Sequence, residues 1–277
     1  MNVKTEYILK NGVAIPSIGF GTWQIPEGEE AYQSTLWALR AGYRHIDTAA
    51  AYGNETSVGK AIRDAGIPRE EIFVTSKLKA EIKGYEAAKK EFAASLGRLG
   101  LRQLDLYLIH APKPWNVQSD GLEYTQDNIE TWKAFVDLYN EGKVRAIGVS
   151  NFRPEHLLPI IAATGFIPHA DQVFLCPGGV PKDTVEFARG RNILVEAYSP
   201  FATGRLFKDP ILASMAEKYG KSMAQVALRW SLQRGFLPLP KSVTELRIRE
   251  NFDVFGFDIR EEDLEILDDL RLKFQHR

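Results

Sequence analysis

The sequence predicts an α/β chain closed into a single (β/α)8 TIM barrel, and three observations predict it. Short β-rich runs alternate with helix-period segments along the whole length, and about eight such units are present. No Pro/Gly/Ser-rich linker separates them, and 277 residues suit one barrel of about 250 residues with extra loops.

The elements follow in order. Thr5–Leu9, an Asn11-Gly12 turn and Val13–Pro16 read as an N-terminal β-hairpin, placed to plug the barrel bottom. The barrel strands are expected at Ile18–Gly21, Tyr43–Asp47, Ile72–Lys77, Leu104–His110, Val144–Ser150, Asp171–Val173, Asn192–Tyr198 and Phe236–Pro240. Several are nearly continuous in apolar residues, as strands buried on both faces of a parallel sheet require. Between them, Tyr85, Ala88, Phe92, Leu96 and Leu99 recur at helical steps, as do Ile129, Trp132, Val136 and Tyr139, and Met223, Val226 and Trp230. Asn54 and Ser222 stand where N-caps belong. Two connections, Ala111–Asn128 and Ser199–Pro210, are long enough to be expected as lids or binding loops at the C-terminal rim.

Composition narrows the function. Lys and Arg number 35 against 36 Asp and Glu, so no positive field exists to gather nucleic acid or anionic lipid. Neither partner is expected, and no run approaches the ~20 apolar residues of a membrane span. Residues Met1–Asn11 lack the apolar core of a signal peptide, and Cys176 is the only cysteine, which suits a reducing cytoplasm. No Gly-x-Gly-x-x-Gly opens a helix, and neither a P-loop nor His-Glu-x-x-His occurs. The five histidines are scattered without ligand spacing, so no metal is expected.

Residues at the carboxyl ends of barrel strands share one rim, where chemistry sits. Asp47, Lys77 and His110 close the second, third and fourth predicted strands, and Tyr52 follows Asp47 by a short loop. A phenol of pKa about 10 is a poor acid at neutral pH, but a nearby ammonium is expected to lower that value. Lys77 supplies the cation, Asp47 holds it, and His110 orients a carbonyl oxygen toward Tyr52. Taken singly, each residue also fits a plainer part: an ordinary ion pair, a structural histidine, a loop aromatic.

With those residues in place, the chain resembles the aldo-keto reductase superfamily. The segments that carry the resemblance are Gly42–Glu55 (GYRHIDTAAAYGNE), Thr75–Leu78, Asp105–His110, Arg145–Phe152, Glu196–Pro200, Pro240–Ser242 and Arg247–Asn251. They keep family order from Gly19 to Asp269, nearly the whole chain. The resemblance implies NAD(P)H-dependent carbonyl reduction, leaning to NADPH with NADH left open, with Asp47, Tyr52, Lys77 and His110 as catalytic tetrad and Tyr52 as general acid. It implies Gly21, Thr22 and Asp47 near the cofactor, Ser150, Asn151 and Gln172 on the nicotinamide carboxamide, and Tyr198 stacked on its ring. Ser199, Pro200 and Phe201 would close over the pyrophosphate. Lys241, Ser242, Val243, Thr244 and Arg247 would hold the 2′-phosphate, with Glu250 and Asn251 near the adenine. On their own, Lys241 and Arg247 read rather as a solvated surface face, and only the surrounding motif turns them toward a phosphate.

Departures from the family pattern bear on the substrate. Lys79 and Ala111 replace tryptophans that many relatives carry, Asp171 replaces an Asn, and Thr244 replaces an Arg. Trp23 and Trp115 are expected to refill part of the aromatic wall around a wider, wetter pocket; either Lys79 faces that pocket and favours polar or anionic carbonyls, or it points to solvent and only Ala111 matters. The C-terminal substrate loop before Arg277 is expected to be short. Among relatives the chain is most similar to 2,5-diketo-D-gluconate reductase-type members. The chain is expected to act as a monomer on a small-molecule carbonyl. A nicotinamide-binding regulatory subunit and a Schiff-base lyase built on Lys77 are the alternatives; the intact tetrad speaks against the first and the cofactor motifs against the second.

Overall fold

The computed structural model describes residues 5–271. Strands β1 (Glu6–Ile8) and β2 (Ala14–Pro16) form an antiparallel hairpin. Its turn carries Gly12 at φ 85, a left-handed conformation glycine adopts without strain. Tyr7 Oη donates to Phe236 O (3.2 Å) and Asn11 Nδ2 to Arg145 O (2.9 Å), both at the starts of barrel strands. Leu9 and Ile15 pack with Phe73, Leu106, Leu108 and Leu237, so the hairpin closes the N-terminal end as expected.

Eight parallel strands form the barrel: β3 (Phe20–Gly21), β4 (His45–Asp47), β5 (Phe73–Leu78), β6 (Leu104–Ile109), β7 (Val144–Ser150), β8 (Ala170–Phe174), β9 (Leu194–Tyr198) and β10 (Leu237–Leu239). Each pairs with its sequence neighbour. Gly19 N–H to Pro238 O (3.1 Å) and Gly21 N–H to Pro240 O (3.0 Å) join the first strand to the last. The two prolines offer no N–H, but their carbonyls accept, so they serve in the closing strand without breaking the ladder.

Helices α1 (Glu29–Ala41), α2 (Glu55–Asp64), α3 (Tyr85–Leu99), α4 (Thr125–Asn140), α5 (Pro154–Thr164) and α6 (Lys182–Arg189) follow β3 to β8 in turn. After β9 come α7 (Pro210–Tyr219) and α8 (Met223–Gln233); after β10 come α9 (Glu245–Phe252) and α10 (Glu261–Asp268). The predicted stripes face inward: Phe92, Leu99, Trp132, Val226 and Trp230 are buried. Ser222 caps α8, its Oγ accepting from Gln225 N–H while Gln225 Oε1 accepts from Ser222 N–H.

Asn54 departs from its expected part. Its side chain makes no capping bond; it is buried, donating to Thr22 O (2.9 Å) and Ile25 O (2.8 Å) and accepting from Thr48 Oγ1 (2.8 Å). The backbone carbonyls of the loop after β3 compete for the amide and win, so Asn54 pins that loop to the exit of β4. The long connection after β6 also ends earlier than expected, because α4 begins at Thr125 and already contains Asn128. The last six residues of the C-terminal segment lie outside the described residues.

Helix packing around the barrel is close enough to test. A Cβ at Gly59 in α2 would stand 2.0 Å from Leu99 O, whereas one at Gly97 in α3 meets nothing within 4 Å. Gly59→Ala is expected to destabilise the fold by about 1–3 kcal/mol through overpacking. Gly97→Ala is expected to stabilise it by about 0.4–1 kcal/mol. Chemical denaturation of the two variants checks both signs.

Candidate active site

Four polar side chains meet at the C-terminal rim because parallel strands end there together. Asp47 ends β4, and a 3-10 turn, Ala50–Tyr52, places the phenol beside it. Gly53 at φ 70 then lets the chain swing into α2. Lys77, the predicted end of its strand, is the penultimate residue of β5, one before Leu78, and His110 follows β6 directly.

Lys77 is fully buried. Its Nζ donates to Asp47 Oδ1 (2.6 Å), Thr48 O (2.9 Å) and Tyr52 Oη (3.3 Å), which uses all three ammonium hydrogens. The His110 ring stands edge-on to Tyr52 at 5.5 Å and to Trp115 at 5.4 Å.

The electrostatics differ from the sequence expectation. Burial raises the Tyr52 pKa above its ordinary 10; Lys77 pulls it down, but desolvation of the phenolate outweighs that pull and Asp47 opposes it further. Burial also works against the Lys77 ammonium, yet Asp47 and Tyr52 together raise its pKa. Burial first, then Lys77 and Lys83, push His110 down to about 3. At neutral pH the site therefore holds a charged lysine, a protonated phenol and a neutral imidazole. His110 Nδ1 is buried without a partner among the described residues, which leaves Nε2 as the ring nitrogen for the cavity. The arrangement can orient an oxygen and deliver a proton to it.

Asp47, Tyr52 and His110 line a cavity of about 760 Å³. Ser150, Asn151, Gln172 and Tyr198 form one wall; Ser199, Pro200, Phe201 and Lys241 extend it, and Gly21 borders it. Asn151, at φ 62, is held on every side: its Oδ1 accepts from Tyr198 Oη (2.7 Å), and its Nδ2 donates to His110 O and Ser150 Oγ (both 3.0 Å). Thr22 lies outside the lining, its Oγ1 donating to Asp47 O (3.1 Å). Ser242, Val243, Thr244, Arg247, Glu250 and Asn251 also lie outside it, on the segment that runs from Lys241 through α9. Lys241 and Arg247 are exposed and, among the described residues, have no carboxylate partner.

Two expected substrate residues fall away. Lys79 is half-buried on the loop after β5 and does not line the cavity. Ala111 is buried behind the wall, where its carbonyl accepts from Lys83 Nζ (2.7 Å). Trp23 and Trp115 do line the cavity, 46% and 53% exposed. The sequence reading missed Gln24, Ala51, Thr203, Gly204, Phe207 and Leu239 on the lining. Phe207 packs on Phe201 with ring centroids 5.2 Å apart, and a lone loop aromatic carries no periodicity that would reveal it. Gln24 is a non-glycine residue at φ 60, a strain invisible in a sequence.

The model of the Aldo/keto reductase family matches residues 17–272. The chain belongs to the aldo/keto reductase family. It is 43% identical to a glyoxal reductase of Bacillus subtilis over 97% of this chain and 94% of that one. An aldo/keto reductase structure from Brucella melitensis superposes with a TM-score of 0.88 at 44% identity, covering 95% of this chain and 98% of the other. A Bombyx mori aldo-keto reductase solved in complex with NADP gives 0.84 at 34% identity, covering 95% and 91%.

The buried pair makes a stability prediction. Lys77→Met leaves the Asp47 carboxylate buried without its cation, so the unfolding free energy should fall by about 3–5 kcal/mol. Urea denaturation checks this; an unchanged midpoint would show that the pair adds nothing to stability.

Proposed function

We propose that the chain is an NADPH-dependent reductase of aldehydes and ketones in which Tyr52 is the proton donor. The observation that carries this reading is the buried Lys77 ammonium bonded at once to Asp47 and Tyr52, beside His110, in an open cavity. A dinucleotide fits the rest. Lys241 and Arg247 are cations without carboxylate partners beside the N-terminus of α9, the chemistry that an added 2′-phosphate needs. A Cβ at Gly21 would stand 3.2 Å from Leu239 O, so only glycine leaves that stretch of wall low. Ser150, Asn151 and Gln172 offer polar groups to a carboxamide, Tyr198 offers a ring face, and Ser199 to Phe201 cover the pyrophosphate. Ser242, Val243 and Thr244 complete the phosphate loop, and Glu250 and Asn251 take the adenine end. The NADP bound to the Bombyx mori relative supports the cofactor assignment.

The bound reduced nicotinamide supplies the hydride that reduces the carbonyl carbon. His110, neutral, donates from Nε2 to the carbonyl oxygen and fixes its direction. Tyr52 Oη gives that oxygen its proton. The Lys77 ammonium then faces the phenolate at hydrogen-bond distance and stabilises it, while Asp47 keeps Lys77 charged and placed.

The cavity wall favours small neutral carbonyls. Among the described residues its only carboxylate is Asp47, already paired with Lys77, and its only basic side chain besides His110 is Lys241, assigned to the cofactor. With Lys79 outside the wall, the expected preference for anionic keto acids loses its cation. α-Dicarbonyls and uncharged keto sugars suit Trp23 and Trp115 better, and the glyoxal reductase relative supports the dicarbonyl class.

Two measurements test the reading. Tyr52→Phe should lower kcat for a dicarbonyl by at least about 10²-fold while NADPH affinity changes little; wild-type turnover would refute the acid role. Arg247→Ala should weaken NADPH by about 1.5–3 kcal/mol and NADH hardly at all, read by fluorescence titration. Equal losses for the two nucleotides would remove Arg247 from the phosphate site.

A further inference from the structure

Gln172 is held by a carboxyl group that the reaction scheme leaves out. Its Nε2 donates one hydrogen to Asp47 Oδ2 (2.9 Å) and the other to Glu196 Oε2 (2.8 Å). Glu196 lies in the middle of β9, fully buried, and its Oε1 has no partner among the described residues. The pairing of β8 with β9 sets Gln172 opposite Glu196, so the sheet register itself fixes the contact. Asp171, beside Gln172, is also fully buried.

A primary amide has two nearly equivalent orientations, and its neighbours choose between them. Here a carboxyl oxygen stands on each side of Nε2, so both amide hydrogens are already taken within the protein. Oε1 is the part of the amide left to meet a ligand, and it can only accept. We propose that Glu196 is a positioning residue: it locks the Gln172 amide so that Oε1 receives the N–H of the nicotinamide carboxamide. The inference rests on the nicotinamide reading above and adds to it a residue outside the tetrad and outside the cavity lining.

The charges around Glu196 supply a second signature. Asp47 faces it from β4, Lys77 from β5 and Asp171 from β8. Burial first, then Asp47, push Glu196 up to about 7. The folded protein therefore keeps a proton that the unfolded chain releases near pH 4.5. A group with a raised acid pKa binds more protons folded than unfolded, so the contribution of Glu196 to stability falls as pH rises from about 4.5 to about 7 and is level above.

The test compares wild type, Glu196→Gln and Glu196→Leu by tryptophan fluorescence titration with NADP+ and with its 3-acetylpyridine analogue, whose methyl ketone has no N–H to donate. Wild type should prefer NADP+. Glu196→Leu should lose about threefold to tenfold of that preference, while Glu196→Gln, which keeps an acceptor for Gln172, should retain it. The preference for NADPH over NADH should stay unchanged in both variants. Thermal unfolding of the ligand-free proteins adds a readout independent of turnover: wild type should lose stability relative to Glu196→Gln as pH rises from about 4.5 to 7. An unchanged nucleotide preference in a folded Glu196→Leu protein, or the same pH slope in Glu196→Gln, would overturn the positioning role alone. A wild type that binds neither nucleotide would overturn the nicotinamide reading and this inference with it.

Discussion

A lysine with no solvent-exposed surface is tolerated only where every ammonium hydrogen has an acceptor, and Lys77 finds its three in Asp47, Thr48 O and Tyr52. That requirement sets much of the rim. The exit of β4 must bend so that Thr48 turns its carbonyl inward, and the 3-10 turn that follows must bring the phenol back over β5. Asn54 secures that bend by bonding Thr48 and the loop after β3 together. The same burial decides the charge states. Desolvation dominates Tyr52 and His110 alike, so the phenol keeps its proton and the imidazole stays neutral, while the ammonium persists on its paired acceptors.

Backbone strain gathers on the same side of the barrel. Gln24, Asn151, Ser199, Ala202 and Thr203 all adopt left-handed φ without being glycine. Such residues persist when their surroundings over-determine them, and they tend to mark binding surfaces. Asn151 shows how: three hydrogen bonds hold its side chain, and through Nδ2 it fixes the carbonyl of His110. The wall carrying Tyr198 and the loop carrying His110 are thus one connected unit, and the proton-donating groups and the proposed nicotinamide platform share a rigid frame.

The barrel was legible in the sequence because buried parallel strands and amphipathic helices leave opposite hydrophobic periods, as at Leu104–Ile109 and at Phe92 and Leu99. The tetrad was legible because the four side chains sit at or just past strand ends, where parallel topology gathers them. The rest depends on contacts between distant segments. Asn54 reads locally as a cap, but carbonyls of Thr22 and Ile25, some thirty residues away, claim its amide. Lys79 stands where relatives place a wall residue, yet one position beyond β5 its side chain lies off the lining. The direction of the Tyr52 shift was also out of reach, since an adjacent cation can be read from spacing but the depth of burial that outweighs it cannot. Glu196 belongs to a strand whose alternation says only that it faces inward. Its significance appears once β8 places Gln172 across from it.

The central claim is that Tyr52 stands ready as a neutral acid, kept protonated by burial despite the ammonium at 3.3 Å. It can be read from the ligand-free protein by ultraviolet difference titration of wild type against Tyr52→Phe, following phenolate absorbance from neutral pH up to about 10, the ordinary phenol value. Tyr52 is expected to be less than half ionised at the top of that range, because burial holds its pKa above the ordinary value. A phenolate band belonging to Tyr52 that develops near neutral pH would show that Lys77, and not desolvation, governs the acid, and would contradict the account.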